Sequence, residues 1–248
     1  MSRAFLQLFK VNSLLFYRNP AALFWTVAMP AGFYTLLSFV PLERLIGTSY
    51  NYATFLLPGM IAYVIMQGGI YGLAYWLVDM RSRGVIKRFI VTPVKPYQMA
   101  VSVVASRLVV MLLQVVMLTL IGVLVFHVPF HWNILSIVAF TLLGGTVFLI
   151  LGLFISSFAK TYETAAPITA AIGLPLTALG NIFFPIEKLP EIVQWLARIL
   201  PITSLANGLR NVYLAPFDWH LVYKDFLVLL LWAIIMLALV VWRFRLEE

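Results

Sequence analysis

LVVMLLQVVMLTLIGVLVFHVPFHWNILSIVAFTLLGGTVFLILGLFISSFA, residues 108 to 159, contains no Asp, Glu, Lys or Arg. An α-helix rises about 1.5 Å per residue, and the hydrocarbon core of a bilayer is about 30 Å thick. These 52 residues are therefore too many for one crossing and enough for two. Pro129, inside HVPFHWN at 127–133, is where the run is expected to break. The stretch predicts a hairpin of two membrane-spanning helices.

The rest of the chain has the same apolar character. Its 248 residues are 63% hydrophobic and 10% charged, with a mean hydropathy of +1.00. Soluble domains are roughly 45–50% apolar and 25% charged. Four further uncharged runs read as spans: 19–42, 45–78, 164–186 and 226–242. We therefore predict an all-α polytopic membrane protein with six transmembrane helices.

The whole chain, 1–248, is predicted to be a single transmembrane domain. The predicted spans cover 20–41, 53–78, 98–126, 133–158, 164–184 and 221–242. Residues 1–19 interleave apolar and basic side chains, which predicts an amphipathic helix in the membrane interface. Residues 79–97 form a loop between spans two and three. Residues 185–219 show helical spacing interrupted by Pro190, Pro201 and Pro216, which predicts outer-face or re-entrant helices between spans five and six.

The distribution of basic residues predicts the orientation. With both termini cytoplasmic, 12 of the 17 cations, including Arg107, fall on cytoplasmic segments and 5 fall on outer segments. This is the bias that the positive-inside rule describes. The net charge of +8 is then explained by topology, and no nucleic-acid partner is expected.

Several chemistries are disfavoured by the residues that the chain lacks. No Lys follows a Gly, so there is no phosphate-binding loop of the G-x-x-x-x-G-K-[ST] type. Asp79, Glu163 and Asp225 lie at the ends of predicted spans, which disfavours an ion-coupled carrier and hydrolytic catalysis. His127 and His131 are separated by a proline and have no acidic partner, so no metal site is predicted. We expect no catalytic residue and no cofactor bound by this chain.

The loop after span two is amphipathic when it is projected at about 100° per residue. One side carries Val85, Ile86, Phe89 and Ile90, and the other carries Arg81, Arg83, Lys87 and Arg88. We predict a short helix from Arg81 to Thr92, ended by Pro93. Two interpretations stay open: a basic loop that sets topology and attracts anionic lipid, and a docking helix for a cytoplasmic partner.

Span two carries a polar and aromatic stripe at intervals of four residues: Tyr63, Gln67, Tyr71 and Tyr75. Aromatic faces with hydroxyl and amide groups suit an amphiphilic substrate, although helix packing and interface anchoring would explain the same stripe. Gly68 and Gly72 predict a close helix approach. In span five, Asn181 with Pro167 and Pro175 predicts a kinked, closely packed helix.

Two motifs are similar to a known family. MRSRGVIKRFIVTP, residues 80 to 93, resembles the first cytoplasmic loop of the ABC type-2 transporter permease family. IFFPIEKLPEIVQWLARILPITSLANGLR, residues 182 to 210, resembles the outer-face segment of that family between spans five and six. With the six-span layout, the resemblance covers essentially the whole chain. Members often carry glutamates near the first arginine of the loop, where this chain has Met80 and Ser82.

The resemblance implies the permease half of an ATP-driven exporter in a bacterial or archaeal cytoplasmic (inner) membrane. Its partners would be an ABC nucleotide-binding ATPase, which binds ATP and Mg, and a second permease copy or a related permease. The substrate would be a drug-like, lipid or glycan-linked amphiphile. The alternative is a non-transporting membrane anchor or sensor for a cytoplasmic partner.

The resemblance also assigns residues to roles. The residues expected to couple the permease to the ATPase are Arg81, Arg83, Gly84, Lys87, Arg88, Phe89, Thr92 and Pro93. The expected translocation pathway contains Tyr63, Gln67, Tyr71, Tyr75, Asn181, Phe183 and Phe184, with Phe183 and Phe184 near an outer gate.

Overall fold

The computed structural model describes residues 3–42, 51–85, 96–131, 133–159 and 161–245. These ranges are mostly helical, and they contain no β-strand. The helices are α1 (Arg3–Tyr17), α2 (Pro20–Ser38), α3 (Tyr52–Ser82), α4 (Pro96–Leu124), α5 (Ile134–Phe158), α6 (Tyr162–Leu179), α7 (Glu191–Ile199), α8 (Pro201–Leu214) and α9 (Trp219–Arg245), with a 3-10 turn at Ile186–Lys188. The predicted all-α architecture is confirmed.

The local sequence explains where these helices begin. The side chain of Asn51 accepts a hydrogen bond from the backbone N–H of Thr54 at 2.9 Å, which satisfies a free donor in the first turn of α3. Asn19 caps α2 in the same way, 3.1 Å from the N–H of Ala22. Pro20 follows Asn19 at a helical position that needs no N–H donor.

Five of the described helices are long and apolar enough to cross a membrane: α2, α3, α4, α5 and α9. The chain is therefore a multi-pass membrane protein, as predicted. The predicted span five corresponds to α6, which is not among these five. It has 18 residues and carries Glu163 in its first turn. That α6 is a sixth crossing stays a prediction.

The helix α6 also ends earlier than the span predicted to reach residue 184. Gly180 follows its last turn, and Asn181 has a φ of 53°, in the left-handed region that a helix cannot continue. Asn is among the residues that adopt this conformation most readily. The residues from Asn181 to Pro185 therefore form an irregular turn.

The helix α3 lies at the centre of the bundle. In its most apolar window 83% of the residues are buried, against 11% for α9. It packs most extensively on α5 and also contacts α2, α4, α6 and α8. The outer helices expose large apolar side chains such as Leu36, Leu120 and Leu231, which lipid tails can solvate.

Two glycines set the close spacing of α3 and α5. A Cβ atom at Gly152 would overlap the carbonyl oxygen of Gly69, and a Cβ atom at Gly69 would lie 2.5 Å from the Cβ of Phe148. Small residues allow the backbones of membrane helices to approach in this way. The core of the bundle is built on this contact.

The glycines predicted to make a close helix contact have a different setting. An added Cβ at Gly68 would lie 3.2 Å from Cε of Met111, and one at Gly72 would lie 3.8 Å from Nη1 of Arg107. Both glycines border a cavity. Gly68 thus lies close to a side chain of α4 and Gly72 does not, while the tightest backbone contact of α3 is at Gly69, because the sequence does not show which side of a central helix meets which neighbour.

The segment 185–219 contains two helices in different environments. The apolar residues of α7 that repeat at helical spacing are exposed: Ile192, Trp195, Leu196 and Ile199. Such a face suits the membrane interface. In contrast, most residues of α8 are buried, and α8 packs against α3, α5 and α9. The second helix of this segment is thus part of the bundle.

Replacing Gly152 with Ala is expected to destabilise the bundle. The added Cβ would press on the backbone of Gly69, which cannot move aside as a flexible side chain can. Overpacking of this kind costs about 1–3 kcal/mol, which a thermal melt in detergent would register as a lower midpoint. Gly32→Ala is the matched control, because a Cβ there meets nothing within 4 Å. Equal melting of the two variants would show that α3 and α5 do not meet at this point.

Candidate functional site

A cavity of 660 Å³ lies between α2, α3, α4 and α6. Its longest wall is the face of α3 from Tyr63 to Asp79, and Trp25, Arg107 and Tyr162 contribute from the other three helices. We call it the tyrosine cavity. Its lining combines aromatic rings with a small number of polar groups, which is the usual composition of a site for a small organic ligand.

The four stripe residues predicted for span two all line the tyrosine cavity. The Nε2 of Gln67 donates to the hydroxyl of Tyr63 at 2.6 Å. The rings of Tyr71 and Tyr75 meet edge to face with their centroids 5.9 Å apart, and the Tyr75 hydroxyl lies 3.0 Å from Oγ1 of Thr169 on α6. The stripe is therefore a fixed wall, held by contacts within α3 and to α6.

The wall of the cavity formed by α2 contains a π-helical turn. Residues Phe24–Ala28 wind as a π-helix, a local widening that is frequent at functional sites. Within this turn, the carbonyl oxygen of Thr26 accepts a hydrogen bond from Nε2 of Gln114 on α4. Gln114 is buried at 4% exposure, so this bond joins α2 to α4 at the wall of the cavity.

Phe183 stands at one end of the stripe. Its ring centroid lies 6.0 Å from that of Tyr63 and 5.9 Å from that of Phe33 on α2. The hydroxyl of Tyr52 donates to the Phe183 carbonyl at 3.2 Å. Phe184, in contrast, is 54% exposed. The structure brings Phe183 to the predicted pathway residues and leaves Phe184 at the surface.

Asn181 belongs to a separate polar cluster. Its side-chain amide is hydrogen-bonded to that of Asn207 at 2.6 Å. Its backbone carbonyl accepts a hydrogen bond from Nη2 of Arg210 at 2.9 Å. The Arg210 guanidinium also lies over the Phe55 ring, 4.1 Å from its centroid. Burial lowers the pKa of Arg210 to about 10, against the opposing attraction of Glu187, so Arg210 stays charged at neutral pH.

This cluster borders a second cavity of 530 Å³, which Glu187 and Asp225 also line. From the sequence, Arg210 was expected only as one of the five cations of the outer segments, and its place in this cluster was not predicted. Its signal was a lone arginine between two asparagines in an apolar segment, Asn207 and Asn211.

At the opposite end of α3, Arg81 occupies the last helical turn. The helix continues to Ser82, and Gly84 follows with a φ of +65°, a left-handed conformation that favours glycine. The prediction that the loop helix begins at Arg81 was therefore wrong, because α3 extends beyond the span it contains. The remaining predicted coupling residues lie outside the described residues: Lys87, Arg88, Phe89, Thr92 and Pro93.

Arg81 and Arg83 have different partners. Nη1 of Arg81 donates to the carbonyl oxygens of Ser156 and Ala159, the second at 3.4 Å. These carbonyls end α5 and have no acceptor role within that helix, so Arg81 caps them. The Arg83 side chain is 70% exposed and pairs with Asp79 at 2.8 Å. Arg83 is therefore the more available of the two for a partner protein.

Arg107, predicted from the sequence only as one of the cytoplasmic cations, lines a cavity. This cavity is the tyrosine cavity, and Arg107 also lines a neighbouring cavity of 380 Å³ between α1, α2, α3 and α4.

Across the described residues, no group of three or more His, Asp or Glu side chains is placed to hold a metal ion.

An apolar bundle with five helices that can cross a membrane, and an aromatic and polar cavity between its helices, define a polytopic membrane protein with a candidate binding site. The family described as ABC-2 family transporter protein matches residues 40–242. The chain belongs to this family of ABC transporter permeases.

Similar proteins include two that are named as transport permeases and one that is named as an ABC transporter. The chain is 28% identical over 193 residues to the inner membrane transport permease YadH of Escherichia coli, which covers 75% of each protein. It is 24% identical over 231 residues to the putative transport permease YvfS of Bacillus subtilis, covering 90% of this chain and 89% of YvfS. It is 26% identical over 210 residues to the ABC transporter G family member 20 of Dictyostelium discoideum, but spans only 28% of that protein's length.

The family match and the apolar helices together establish the general function of the chain. The chain is a permease subunit of an ABC transporter and a multi-pass protein of an inner membrane. Membership of the family implies association with an ATPase subunit.

Replacing Arg81 with Gln is expected to loosen the end of α5. Hydrogen bonds from a charged donor contribute about 1.5–3 kcal/mol, so amides in residues 153–159 should exchange with deuterium roughly tenfold faster or more. Arg83→Gln is the matched control, because an exposed ion pair contributes little. Equal exchange in R81Q and the unmodified protein would show that Arg81 does not cap α5.

Proposed function

We propose that this chain is the permease subunit of an ATP-driven exporter that moves an amphiphilic substrate out of the cytoplasm or the inner leaflet. The observation that carries the proposal is the tyrosine cavity, which lies within the membrane-crossing helices of a chain from the ABC-2 family. Both termini would be cytoplasmic in a bacterial or archaeal membrane, in keeping with the charge bias of the sequence.

The composition of the cavity supports an amphiphile. Its volume of 660 Å³ is within the range of about 300–1,000 Å³ of sites for small organic molecules. Tyr63, Tyr71 and Tyr75 offer aromatic surface for an apolar body, and their hydroxyls with Gln67 can hydrogen-bond to polar groups. A drug-like, lipid or glycan-linked molecule has both kinds of surface.

The contacts of Phe183 support its role as an outer gate. Its ring lies against Tyr63 and Phe33 at the end of the stripe remote from Asp79. A substrate leaving at this end would have to displace the ring. The irregular turn that carries Phe183 has no helical hydrogen bonds to break when the ring moves.

The energy would come from a nucleotide-binding ATPase that holds ATP and Mg, since this chain has no phosphate-binding loop. The proposed contact is the loop after α3, with Arg83 and Gly84 at its described start. A second permease copy or a related permease would complete the transporter. The competing proposal, a membrane anchor or sensor, is less well supported, because Tyr63, Gln67 and Tyr71 line a cavity instead of facing lipid.

Labelling of single cysteines tests the transport proposal, and the chain is suited to it because it contains no Cys. Gly72→Cys places a thiol in the tyrosine cavity, where a Cβ has room. In vesicles containing the permease with its ATPase, a charged maleimide should label this thiol, and ATP should change the labelling rate several-fold as the cavity opens to the other side.

Leu231→Cys is the control, since Leu231 is 57% exposed on the outer surface of α9. Its labelling should be slow and insensitive to ATP. If ATP left the Gly72→Cys rate unchanged, the anchor or sensor proposal would be preferred.

Gly84→Asp tests coupling to the ATPase. Asp is among the residues that tolerate a φ of +65° best, and the substitution adds a negative charge next to the basic residues of the loop sequence, such as Arg83 and Lys87. We expect reduced co-purification of the ATPase and loss of ATP-dependent labelling at Gly72→Cys, with the melting midpoint of the permease little changed. Full co-purification and full ATP dependence would show that Gly84 does not take part in coupling. ATP hydrolysis by the purified permease alone would contradict the proposal that a separate ATPase subunit supplies the energy.

A further inference from the structure

Arg107 is the one charged residue in the sequence of α4. From Leu108 to the end of α4 at Leu124 the helix has no charged residue, and at about 1.5 Å per residue this segment is about 26 Å long. That length is close to the hydrocarbon thickness of about 30 Å. Arg107 therefore lies within the segment Gln98–Leu124 that is apolar enough to cross a membrane, in the half nearer to the end of α3.

The guanidinium of Arg107 has no carboxylate partner among the described residues. Asp79, which lines the same two cavities, is paired with Arg83 at 2.8 Å. The described contact of Arg107 is the Phe16 ring, 5.8 Å from its Cζ to the ring centroid. Arg81 and Arg210, in contrast, donate to backbone carbonyls. A charged group near hydrocarbon without a partner is costly and usually functional.

The space around this guanidinium fits a ligand. Its Nη1 lies 3.8 Å from the position that a Cβ on Gly72 would occupy, so at this position of α3 no side chain covers the guanidinium. On one side it borders the aromatic wall of the tyrosine cavity. On the other side it borders the 380 Å³ cavity beside α1, where Asn12, Ser13 and Asn19 add polar side chains.

We infer that Arg107 binds the anionic head group, a phosphate or a carboxylate, of the amphiphile that enters the tyrosine cavity. The inference rests on the proposed function and specifies its substrate class. A guanidinium can donate two parallel hydrogen bonds to either oxyanion. The polar residues of the 380 Å³ cavity would surround the rest of the head group, and Trp25, Tyr71 and Tyr75 would contact the apolar body.

The experiment uses Trp25 and Trp76 as reporters, because both line the tyrosine cavity and bromine quenches tryptophan fluorescence. The permease with its ATPase, in a neutral detergent, is titrated with 11-bromoundecyl phosphate and with 11-bromoundecyl trimethylammonium. We expect saturable quenching by the phosphate at concentrations at least tenfold lower than by the ammonium compound. Arg107→Gln should weaken the phosphate about tenfold or more, and Arg107→Lys, which keeps the charge but not the paired donors, should lie between.

Arg18→Gln is the matched control. It removes an exposed cation at the end of α1 that lines neither cavity, so phosphate affinity should not change. Equal affinity of R107Q and the unmodified protein would overturn the inference, as would equal quenching by the two head groups. Competition by inorganic phosphate at the same concentration as the alkyl phosphate would overturn the requirement for an amphiphile.

The result separates this inference from the proposed function. If R107Q binds normally while ATP still changes the labelling of Gly72→Cys, the head-group assignment is wrong and the transport proposal stands. If phosphate binding depends on Arg107 while ATP has no effect on labelling, the binding site stands and export does not.

Discussion

The contact between the backbones of α3 and α5 at Gly69 and Gly152 is the constraint on which the rest of the structure depends. In a bilayer, an apolar side chain is as well solvated by lipid tails as by another helix, so hydrophobic burial does not favour helix association. Close packing therefore decides which helices associate. Because α5 is held against this face of α3, the adjoining face is left to α2, α4 and α6. That adjoining face carries the tyrosine stripe, and it lines the cavity between α3 and these three helices.

Three arginines of the bundle differ in whether they hydrogen-bond to backbone carbonyls: Arg81 and Arg210 do, and Arg107 does not. The side chains of Arg81 and Arg210 reach carbonyl oxygens just beyond helix ends, Ala159 after α5 and Asn181 after α6, which are free to accept hydrogen bonds. Both arginines therefore stabilise the ends of helices, and both are structural as well as electrostatic. Arg107 makes no such hydrogen bond to a carbonyl among the described residues, and it lines a cavity. The difference in backbone surroundings is what distinguishes a structural arginine from a candidate binding residue.

Much of the fold could be predicted from the sequence, because apolar length and the positions of prolines depend on local residues alone. The break around Pro129, the all-helical class and the stripe on α3 all follow from spacing within one segment. The start of the loop helix could not be predicted, because Arg81 continues α3 to cap α5, a partner 75 residues away in sequence. Which glycine of α3 makes the close backbone contact, Gly69 and not Gly68 or Gly72, depended in the same way on a neighbouring helix.

The sequence by itself determined that this chain is a helical membrane protein, where its apolar helices lie, and which family it resembles, since each of these depends on composition or on short motifs. Only the tertiary structure decided that the stripe faces a cavity, that Phe183 and not Phe184 meets Tyr63, and that Arg107 lacks a carboxylate partner among the described residues. A periodic pattern establishes that residues share a face of a helix. What that face meets depends on how distant helices pack, and no local spacing records it.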